Sequence, residues 1–492
     1  MNLLASFLRS VEQTPSRTAV YWGDKTLTYR QCADQAAWVA QHLRDRLGVK
    51  PGDRVAIWLK NCPEFIPSLY GILGAGAAVV PINNFLKPDE VAFILQDGKI
   101  DVLISEEGMG ESLGRLAAAR PSLQILKIEA FRAAPEGSVS LPGLQRSEPD
   151  LAVIIYTSGT TGHPKGAMLS HGNLLHNVGS CRHVLEAVDV DRFALVLPMF
   201  HSFMLTVCIL LPLDVGGSIV LVKSLNPPKN IVHELILHQA TVLPAIPQLF
   251  RALTHLPPSI ELPLRLCISG AAPLPLEILR EFGQRFPIPL IEGYGLSEAS
   301  PVVSLNPIRG LQKPGSIGLP VRDVEVTIRD EEGRQLAAGQ TGEVCVRGGN
   351  VMSGYWGKAE ESARALRDGW LYTGDIGHMD ADGYFYITDR KKDMLLVNGI
   401  NVYPREIEEV MHQFPGIRDA AVIGRPDPRK GEQPVGFVEM HDGSSLDEAA
   451  LVHYLKERLA DYKVPRRIVQ LPSLPRNATG KILKTTLRTL GH

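Results

Sequence analysis

The stretch LAVIIYTSGTTGHPKG, residues 151–166, joins an apolar run to a loop of glycine, threonine and serine that contains a lysine. The apolar run predicts a strand, and the loop leaves its carboxyl end. Glycine lets a backbone approach a ligand closely, while backbone N–H groups, hydroxyls and the ammonium of Lys165 suit an anion. The stretch therefore predicts a phosphate-binding loop in an α/β protein.

This loop is not a Walker A loop. A Walker A loop ends in Gly-Lys-Ser/Thr and continues into a helix. Here Gly166 and Ala167 follow Lys165. The loop suits a polyphosphate without the arrangement of a GTPase or ATPase, although a glycine-rich surface turn is the commoner explanation for a single motif of this kind.

Composition and charge indicate a globular chain with several domains. The chain has 492 residues, of which 45% are hydrophobic and 21% charged, and its net charge is −2. This length predicts two to four domains. The lack of a long basic block argues against nucleic acid as a partner. The six cysteines are scattered without metal-ligand spacing, which is typical of buried thiols in a reducing compartment and predicts a cytoplasmic location.

No transmembrane segment is expected. The N-terminal MNLLASFLRS has no cationic residue before its apolar patch, unlike a signal peptide. The most apolar stretch, residues 193–222, is interrupted by His201, two prolines, Asp214 and a Gly-Gly pair, whereas a spanning helix needs about 20 apolar residues. We interpret it as interior or pocket wall, and leave open both a peripheral membrane contact and a homodimer.

Short apolar runs alternate with helical patterns through the first three hundred residues. RVAIWL (54–59), AAVVPI (77–82) and LRLCIS (264–269) predict strands, and helical periodicity follows at 63–76 and 275–286. Strands separated by helices of this length predict βαβ crossovers. We therefore expect two doubly wound parallel layers.

The pattern changes near residue 314. From there to about residue 388, short alternating runs and turn signals predict a small antiparallel sheet or barrel. Asp382-Gly383 before an aromatic alternation predicts a hairpin. A mixed α+β tail follows the charged segment TDRKKD. We predict an N-terminal domain of residues 1–389, a hinge at 390–392 and a C-terminal domain of 393–492.

Residues 291–300, IEGYGLSEAS, place an aromatic ring, a hydroxyl and a carboxylate after an apolar strand. Tyr294 could stack on a purine, Ser297 could bond a phosphate and Glu298 could ligate Mg²⁺. Taken alone this motif is weak, because Tyr-Gly turns are common.

Three later motifs add charged groups. WLYTGDIG places Asp375 in a tight turn, as a carboxylate that grips a ribose diol requires. DRKKD adds Arg390, and PRNATGKILK ends the chain with Lys481 in a turn. Each is by itself better explained as structural. Their combination and order with the glycine-threonine loop are not explained by chance.

Together these motifs resemble the adenylate-forming superfamily, which includes acyl- and aryl-CoA synthetases, peptide-synthetase adenylation domains and luciferases, and most of all a bacterial-type fatty-acid–CoA ligase. The resemblance covers nearly the whole chain. It implies a large N-terminal domain of two doubly wound α/β subdomains plus a small antiparallel β-barrel, followed by a small mobile α+β C-terminal domain. The motifs that carry it are YTSGTTGHPKG, GYGLSE, GEVCVRG, LYTGD, DRKKDMLLVNGINVYPREIE and NATGK.

The resemblance implies a site for ATP, with coenzyme A and Mg²⁺ as further reactants. Ser297 stands where a threonine is commoner in the family, which keeps the hydroxyl. The residues that would bind ATP or AMP are Thr157, Ser158, Gly159, Thr160, Thr161, Gly162, Lys165, Gly270, Ala271, Ala272, Glu292, Gly293, Tyr294, Gly295, Ser297, Asp375, Arg390 and Lys481.

The resemblance also implies particular roles. Thr160 and Glu298 would reach the Mg²⁺ ion, and Lys481 would be the catalytic lysine of adenylation. Lys392 would be the hinge about which the C-terminal domain turns, bringing Gly399 to the path of the CoA pantetheine. Without the resemblance, Lys392 would be one of a solvated lysine pair.

The implied chemistry agrees with these residue types. A carboxylate is a poor acyl donor, so it first attacks the α-phosphorus of ATP and gives acyl-AMP and pyrophosphate. Two anions meet in this step, and cations must offset their repulsion. No nucleophilic side chain is needed, because catalysis is mainly positioning and electrostatics.

The acid substrate is indicated by PMFHSF (198–203) and the apolar tract that follows it. In amino-acid-activating relatives an aspartate commonly follows this Phe and binds the α-amino group; here the residue is His201, so an α-amino acid is not expected. The resemblance implies that His201 steers between the two half-reactions, although a satisfied buried histidine would look the same. MLTVCILLPL suits an apolar tail.

Four hypotheses compete. The first is a medium- or long-chain fatty-acyl-CoA synthetase, which we favour, and the second is an aryl-acid, coumarate-like CoA ligase. The third is a fatty-acyl-AMP ligase that loads a carrier protein; such relatives usually carry an insertion that residues 346–375 lack. The fourth is a silent nucleotide- or acyl-binding protein, which a complete set of expected site residues argues against.

Overall fold

The computed structural model describes residues 1–132, 137, 141, 146–157, 164–225, 227, 229–398, 400–427, 431–477 and 480–490. The helices within these residues are α1 (Leu3–Gln13), α2 (Tyr29–Asp45), α3 (Phe65–Gly74), α4 (Pro88–Asp97), α5 (Gly110–Ala119), α6 (His171–Val184), α7 (Leu211–Val215), α8 (Lys229–Leu237), α9 (Pro247–Thr254), α10 (Leu276–Arg285), α11 (Ala359–Ala365), α12 (Pro404–His412), α13 (Glu448–Lys456) and α14 (Lys484–Thr489).

The strands are mostly short, as expected of buried α/β sheets. They are β1 (Thr18–Trp22), β2 (Lys25–Thr28), β3 (Arg54–Trp58), β4 (Ala78–Pro81), β5 (Val102–Ser105), β6 (Gln124–Lys127), β7 (Leu151–Thr157), β8 (Lys165–Ser170), β9 (Arg192–Leu195), β10 (Ser218–Leu221), β11 (Val242–Ala245), β12 (Leu266–Ser269), β13 (Leu290–Gly295), β14 (Val302–Leu305), β15 (Leu319–Pro320), β16 (Val324–Arg329), β17 (Gly342–Gly348), β18 (Leu366–Arg367), β19 (Trp370–Met379), β20 (Phe385–Arg390), β21 (Leu395–Val397), β22 (Ile400–Val402), β23 (Ile417–Asp427), β24 (Gly431–Met440) and β25 (Arg467–Leu471).

Two large sheets confirm the prediction of two doubly wound layers. One has six strands in the order β6-β5-β3-β4-β7-β8, and the other has nine in the order β15-β14-β13-β12-β11-β9-β10-β1-β2. The pairs β3/β4, β3/β5, β11/β12 and β12/β13 are parallel. β4, β5, β11 and β12 are buried along their whole length, because βαβ crossovers cover both faces of a parallel sheet.

The edges of both sheets differ from the prediction of purely parallel layers. β7 and β8 are antiparallel, and so are β13 and β14. The physical reason is the short connection in each case, since a parallel crossover needs a dozen or more residues. Strands β7 and β8 therefore flank the glycine-threonine loop in the sequence, and residues 158–163 of that loop lie outside the described residues.

Two smaller sheets follow in the chain. One has the order β16-β17-β19-β18 with β20 beside β19, and the other β22-β21-β24-β23 with β25 beside β24. β19 and β20 are antiparallel, and Gly383 in their turn has φ +82°, which confirms the hairpin predicted from Asp382-Gly383. Helices α12 and α13 contribute Ile407 and Leu451 to the core over the last sheet, as expected of an α+β tail.

By its internal contacts the chain divides into two compact units, and the predicted domains, 1–389 and 393–492, stay a prediction. The predicted hinge at 390–392 concerns motion and also stays a prediction. The first unit comprises Met1–Pro314, Gly318–Val326 and Val346–Leu371, and the second Gly315–Ile317, Thr327–Cys345 and Tyr372–His492.

The apolar stretch predicted as interior is buried. All residues of a π-helix, Met204–Leu210, are buried, and the helix continues into α7. Asp214 accepts hydrogen bonds from Ser6 and from Arg9 of α1. All six cysteines are buried free thiols, as predicted. In the part of the chain that the structure describes, no helix has the length and apolar character needed to cross a bilayer.

One buried amide connects the start of β14 to helix α6. Asn177 Oδ1 accepts from Val302 N–H at 3.0 Å, and Asn177 Nδ2 donates to Val302 O at 2.7 Å. Asn177 is fully buried. Asn350 Nδ2 also donates to Val302 O, at 3.2 Å. Loss of Asn177 would therefore leave mainly the Val302 N–H unpaired.

We predict that Asn177→Ala lowers the free energy of unfolding of the first unit by about 1–3 kcal/mol, the usual cost of an unpaired buried donor. Chemical denaturation followed by tryptophan fluorescence measures the change. Gln413→Ala, at an exposed position, serves as control. Equal midpoints for Asn177→Ala and the control would contradict this account.

Candidate active site

Thr157 and Lys165 are the residues of β7 and β8 next to the glycine-threonine loop. Thr157 pairs with Lys165 across the strands. Thr157 Oγ1 lies 3.5 Å from both Lys165 O and Glu298 Oε1, at the limit of hydrogen bonding. The other predicted loop residues lie outside the described residues: Ser158, Gly159, Thr160, Thr161 and Gly162.

Glu298 is held by a segment far along the chain. Its Oε1 accepts from the hydroxyl of Tyr355 at 2.9 Å, and its backbone oxygen accepts from Met352 N–H at 2.8 Å. Lys165 Nζ lies 5.4 Å from the centre of the Tyr355 ring. The structure thus brings Thr157, Lys165 and Glu298 together, as predicted, and adds Tyr355. We call these four residues the phosphate-side cluster.

The turn that carries Glu298 leaves no room for a side chain at Gly295. A Cβ there would overlap the carbonyl oxygen of Pro301, so the glycine is needed for close approach of the two backbones. Ser297 lies two residues after Gly295, and its Oγ is 3.0 Å from Ser202 Oγ. Ser202 is buried. This contact places the start of the apolar tract beside the GYGLSE motif.

His201 precedes that contact. Its Nδ1 accepts from Phe203 N–H at 3.3 Å, so the neutral ring carries its proton on Nε2. Burial lowers the pKa of His201 to about 4, and the imidazole is therefore neutral at pH 7. The Phe203 ring packs against Gly270, where a Cβ would lie 3.1 Å from Phe203 Cε1.

The segment predicted to frame the adenine lies at the ends of β12 and β13. Glu292 Oε1 accepts from Leu274 N–H at 3.0 Å, so its buried carboxylate holds the loop that contains Gly270, Ala271 and Ala272. Ala271 has φ +65°, an unusual value for a residue with a Cβ. Gly293 and Tyr294, on β13, pair with Leu305 and Ser304.

The second unit contains the predicted ribose-binding pair. Asp375 on β19 pairs with Arg390 on β20, and Arg390 Nε lies 3.1 Å from Asp375 Oδ1. Asp375 is buried. Glu343 holds both strands, since its Oε1 accepts from Gly374 N–H at 2.9 Å and its Oε2 from Lys391 Nζ at 3.1 Å. The neighbours of Asp375 and Arg390 are therefore tied to one buried carboxylate.

Lys392 lies in a turn in which Asp393 N–H and Met394 N–H both donate to Arg390 O. Burial and the positive charge of Arg390 lower the pKa of Lys392. Gly399, the predicted CoA-side residue, lies outside the described residues.

Lys481 belongs to the same electrostatic environment. Asn477 Oδ1 accepts from Lys481 N–H at 2.9 Å and fixes the turn around it. Surrounding protein and the positive charges of Arg390 and Lys392 lower the pKa of Lys481 to about 8, while Asp375 opposes the shift. The side chain is exposed, so water screens part of this effect. A lysine with this pKa is a cation at pH 7 that loses its charge under mildly alkaline conditions.

Each of the two groups, taken within its own unit, carries side chains that suit an anionic ligand. The first unit offers hydroxyls, a lysine and one carboxylate, and the second offers a buried aspartate among Arg390, Lys392 and Lys481. Within the described ranges, no cluster of three or more His, Cys, Asp or Glu side chains is able to hold a metal by itself.

Family models match both parts of the chain. The model of the AMP-binding enzyme matches residues 7–356, and that of the AMP-binding enzyme C-terminal domain matches residues 406–481. The chain belongs to the AMP-binding enzyme family. The resemblance drawn from the motifs is thereby confirmed.

The similarity to known relatives covers almost the whole of this chain. A feruloyl-CoA synthase from Amycolatopsis sp is 37% identical over 491 residues, which cover 98% of this chain and 97% of that protein. A long-chain-fatty-acid–CoA ligase from Bacillus subtilis is 35% identical over 520 residues, covering 97% and 92%. The crystal structure of ATP-bound MatB from Rhodopseudomonas palustris has a TM-score of 0.91 at 30% identity, covering 100% and 99%.

These similarities confirm the predicted fold and the prediction of an AMP-forming acyl-CoA synthetase. ATP and coenzyme A are the co-substrates of an AMP-forming acyl-CoA synthetase. Fatty and aromatic acids are both represented among the names of the relatives, so the acid that this AMP-binding enzyme activates is not decided by similarity.

The structure adds three side chains that motif reasoning did not single out. Tyr355 contacts Glu298, Ser202 contacts Ser297, and Glu343 holds the strands of the Asp375–Arg390 pair. Ser202 and Glu343 lie within quoted motifs, which was the available signal, and Ser202 also follows the predicted His201. Tyr355 had none, since SGYWG has the composition of an ordinary turn.

We predict that Glu343→Ala weakens AMP binding about ten-fold, because the strands that carry Asp375 and Arg390 lose their common anchor. Isothermal titration of the full-length enzyme with AMP measures this. Glu325→Ala removes a glutamate from an exposed pair with Arg347 and should leave the affinity unchanged. Equal AMP affinities in the two variants would show that Glu343 does not position the pair.

Proposed function

We propose that this enzyme activates a medium- or long-chain fatty acid to acyl-AMP, with release of pyrophosphate, and then transfers the acyl group to coenzyme A. The observation that carries the proposal is the Ser202–Ser297 contact, because a buried and largely apolar segment follows Ser202 beside the nucleotide motif. The only carboxylate of residues 199–215 is Asp214, at the far end and paired with Arg9. An acid with an apolar tail fits such surroundings.

The first half-reaction forms a bond between a carboxylate oxygen and the α-phosphorus and breaks the bond from that phosphorus to the oxygen of the leaving pyrophosphate. Lys165 and the Thr157 hydroxyl would bind the phosphates. Asp375 and Arg390 would bind the ribose hydroxyls, and Lys481 would offset the negative charge where the two anions react.

A Mg²⁺ ion fits the phosphate-side cluster. Mg²⁺ is typically bound by one or two carboxylates together with substrate phosphates, and Glu298 is a carboxylate already oriented by a hydroxyl donor. Glu298 and Thr160 would hold the ion. When bound, it would supply positive charge to the polyphosphate.

The second half-reaction replaces AMP by a thiol. The CoA thiolate attacks the acyl carbon, the bond to the AMP oxygen breaks, and AMP leaves with the electron pair. We propose that the C-terminal residues after Lys392 turn for this step, so that Lys481 leaves the reacting atoms and the Gly399 segment takes its place. The enzyme would act in the cytoplasm, as the cysteine usage predicts.

An aryl acid is the second candidate, favoured by the 37% identity to a feruloyl-CoA synthase. A panel of fatty and aryl acids with Mg-ATP and CoA separates the two candidates. Acyl-CoA formed at least ten-fold faster from C8–C18 fatty acids than from ferulate or coumarate is expected. The reverse order would overturn the fatty-acid proposal, and an acyl-AMP that accumulates and ignores CoA would assign the enzyme to carrier-protein loading.

We predict that Lys481→Ala slows adenylation at least 100-fold, the usual cost of losing a charge-stabilising donor, but leaves thioester formation from synthetic acyl-AMP within about three-fold. ATP–pyrophosphate exchange measures the first step. Because the pKa is lowered to about 8, the exchange rate of the wild type should fall as pH rises through 8, and Lys481→Arg should abolish this fall.

Lys456→Ala, at an exposed position of α13, is the control for these assays and should leave both half-reactions unchanged. Equal loss of both half-reactions in Lys481→Ala would contradict the assigned role. An alkaline decrease that persists in Lys481→Arg would assign the titration to another group.

We predict that Lys392→Pro spares adenylation and slows thioester formation at least ten-fold, because proline fixes φ and prevents rotation at this residue. Lys392→Ala removes the same charge but keeps the backbone free, and should retain both steps. The two half-reactions are measured separately, as above. Thioester formation at the wild-type rate in Lys392→Pro would show that the hinge does not lie at this residue.

A further inference from the structure

We propose that Tyr355 is a positioning residue for the phosphate-side cluster, orienting Glu298 through its hydroxyl and Lys165 through its ring. The inference rests on the proposed function, since it assigns how that site holds its ion and its phosphates. Nothing in the loop motif or in the GYGLSE motif points to this residue.

The backbone of Tyr355 is fixed independently of its hydroxyl. Tyr355 forms an antiparallel bridge with Ala167 on β8, and its N–H donates to Ser362 Oγ at 2.8 Å. The next residue, Trp356, donates its N–H to Gly166 O at 2.8 Å. The segment is therefore attached to the strand that begins at Lys165. Its position does not depend on the contact with Glu298.

The hydroxyl has a defined partner. It donates to Glu298 Oε1 at 2.9 Å, and a hydrogen bond to a charged acceptor is among the stronger ones in proteins. Burial and the negative charge of Glu298 raise the pKa of Tyr355 well above its ordinary value, so the phenol stays a donor. A donor on one oxygen restricts rotation of the carboxylate. Side chains that orient a metal ligand in this way typically change metal affinity 10–100-fold when removed.

The ring has a second partner. The distance of 5.4 Å from Lys165 Nζ to the ring centre is within the range of a cation–π interaction. Tyr355 thus contacts both the carboxylate of Glu298 and the ammonium group of Lys165. In the proposed site, Glu298 would bind the Mg²⁺ ion and Lys165 would bind the phosphates of ATP. Removing the hydroxyl and removing the ring should have different effects.

Tyr355→Phe separates these effects, because it keeps the ring. Binding of ATP to the full-length enzyme is titrated calorimetrically at a series of Mg²⁺ concentrations without any acid, so that no turnover occurs. The Mg²⁺ concentration for half-maximal enhancement of ATP binding should rise about ten-fold. Tyr355→Leu, which also removes the ring, should further weaken ATP binding at saturating Mg²⁺.

The decisive comparison is the double variant Glu298→Gln/Tyr355→Phe. If Tyr355 acts through Glu298, the second substitution adds no loss to the first, whereas independent effects would add. Tyr386→Phe, which removes a hydroxyl from Asp380 at 3.3 Å, is the matched control and should leave the Mg²⁺ dependence unchanged.

An unchanged Mg²⁺ dependence in Tyr355→Phe would overturn the proposal, and so would additive losses in the double variant. A lower thermal unfolding midpoint with normal Mg²⁺ dependence would make Tyr355 merely structural. The proposed function fails separately: it fails if the wild type forms no AMP from an acid and ATP, whatever the binding comparison gives.

Discussion

The central strands of the two large sheets are buried on both faces, and this constraint places the chemistry of the molecule. A side chain on β4, β5, β11 or β12 cannot reach a ligand in water. Polar groups can act only where strands end, which is where ligands bind in open α/β sheets. The glycine-threonine loop follows β7, the Gly270 loop follows β12, and Glu298 follows β13. The apolar core thus determines where the nucleotide motifs can lie.

Hydrogen bonds between residues that are distant in the sequence then fix the predicted site residues within each unit. Met352 and Tyr355 hold Glu298 by hydrogen bonds. Glu292 holds the loop that contains Gly270. Glu343 holds the residues next to Asp375 and Arg390. In the second unit, burial and the positive charges of Arg390 and Lys392 lower the pKa of Lys481, while Asp375 opposes the shift. An anionic ligand would offset these positive charges, which agrees with charge stabilisation as the main means of catalysis.

The sequence predicted much of this, for identifiable reasons. The strand at 54–58 lies within the apolar run predicted as a strand at 54–59, and Asp382-Gly383 has the chemistry of a tight turn. Antiparallel edges were missed, because pairing direction depends on connection geometry. The contact between Tyr355 and Glu298 was not predictable, since the two residues are 57 positions apart in the sequence and no local pattern marks it. Glu292 was predicted as a nucleotide contact, and the structure shows its carboxylate holding the backbone of Leu274.

The central claim is that a carboxylate attacks the α-phosphorus of ATP. A fatty acid labelled with ¹⁸O in both carboxylate oxygens, incubated with the enzyme, Mg-ATP and CoA, tests it most directly by mass spectrometry of the nucleotide. One ¹⁸O atom in each AMP, with the other retained in acyl-CoA, is the predicted result. Unlabelled AMP, or ADP in place of AMP, would contradict the account.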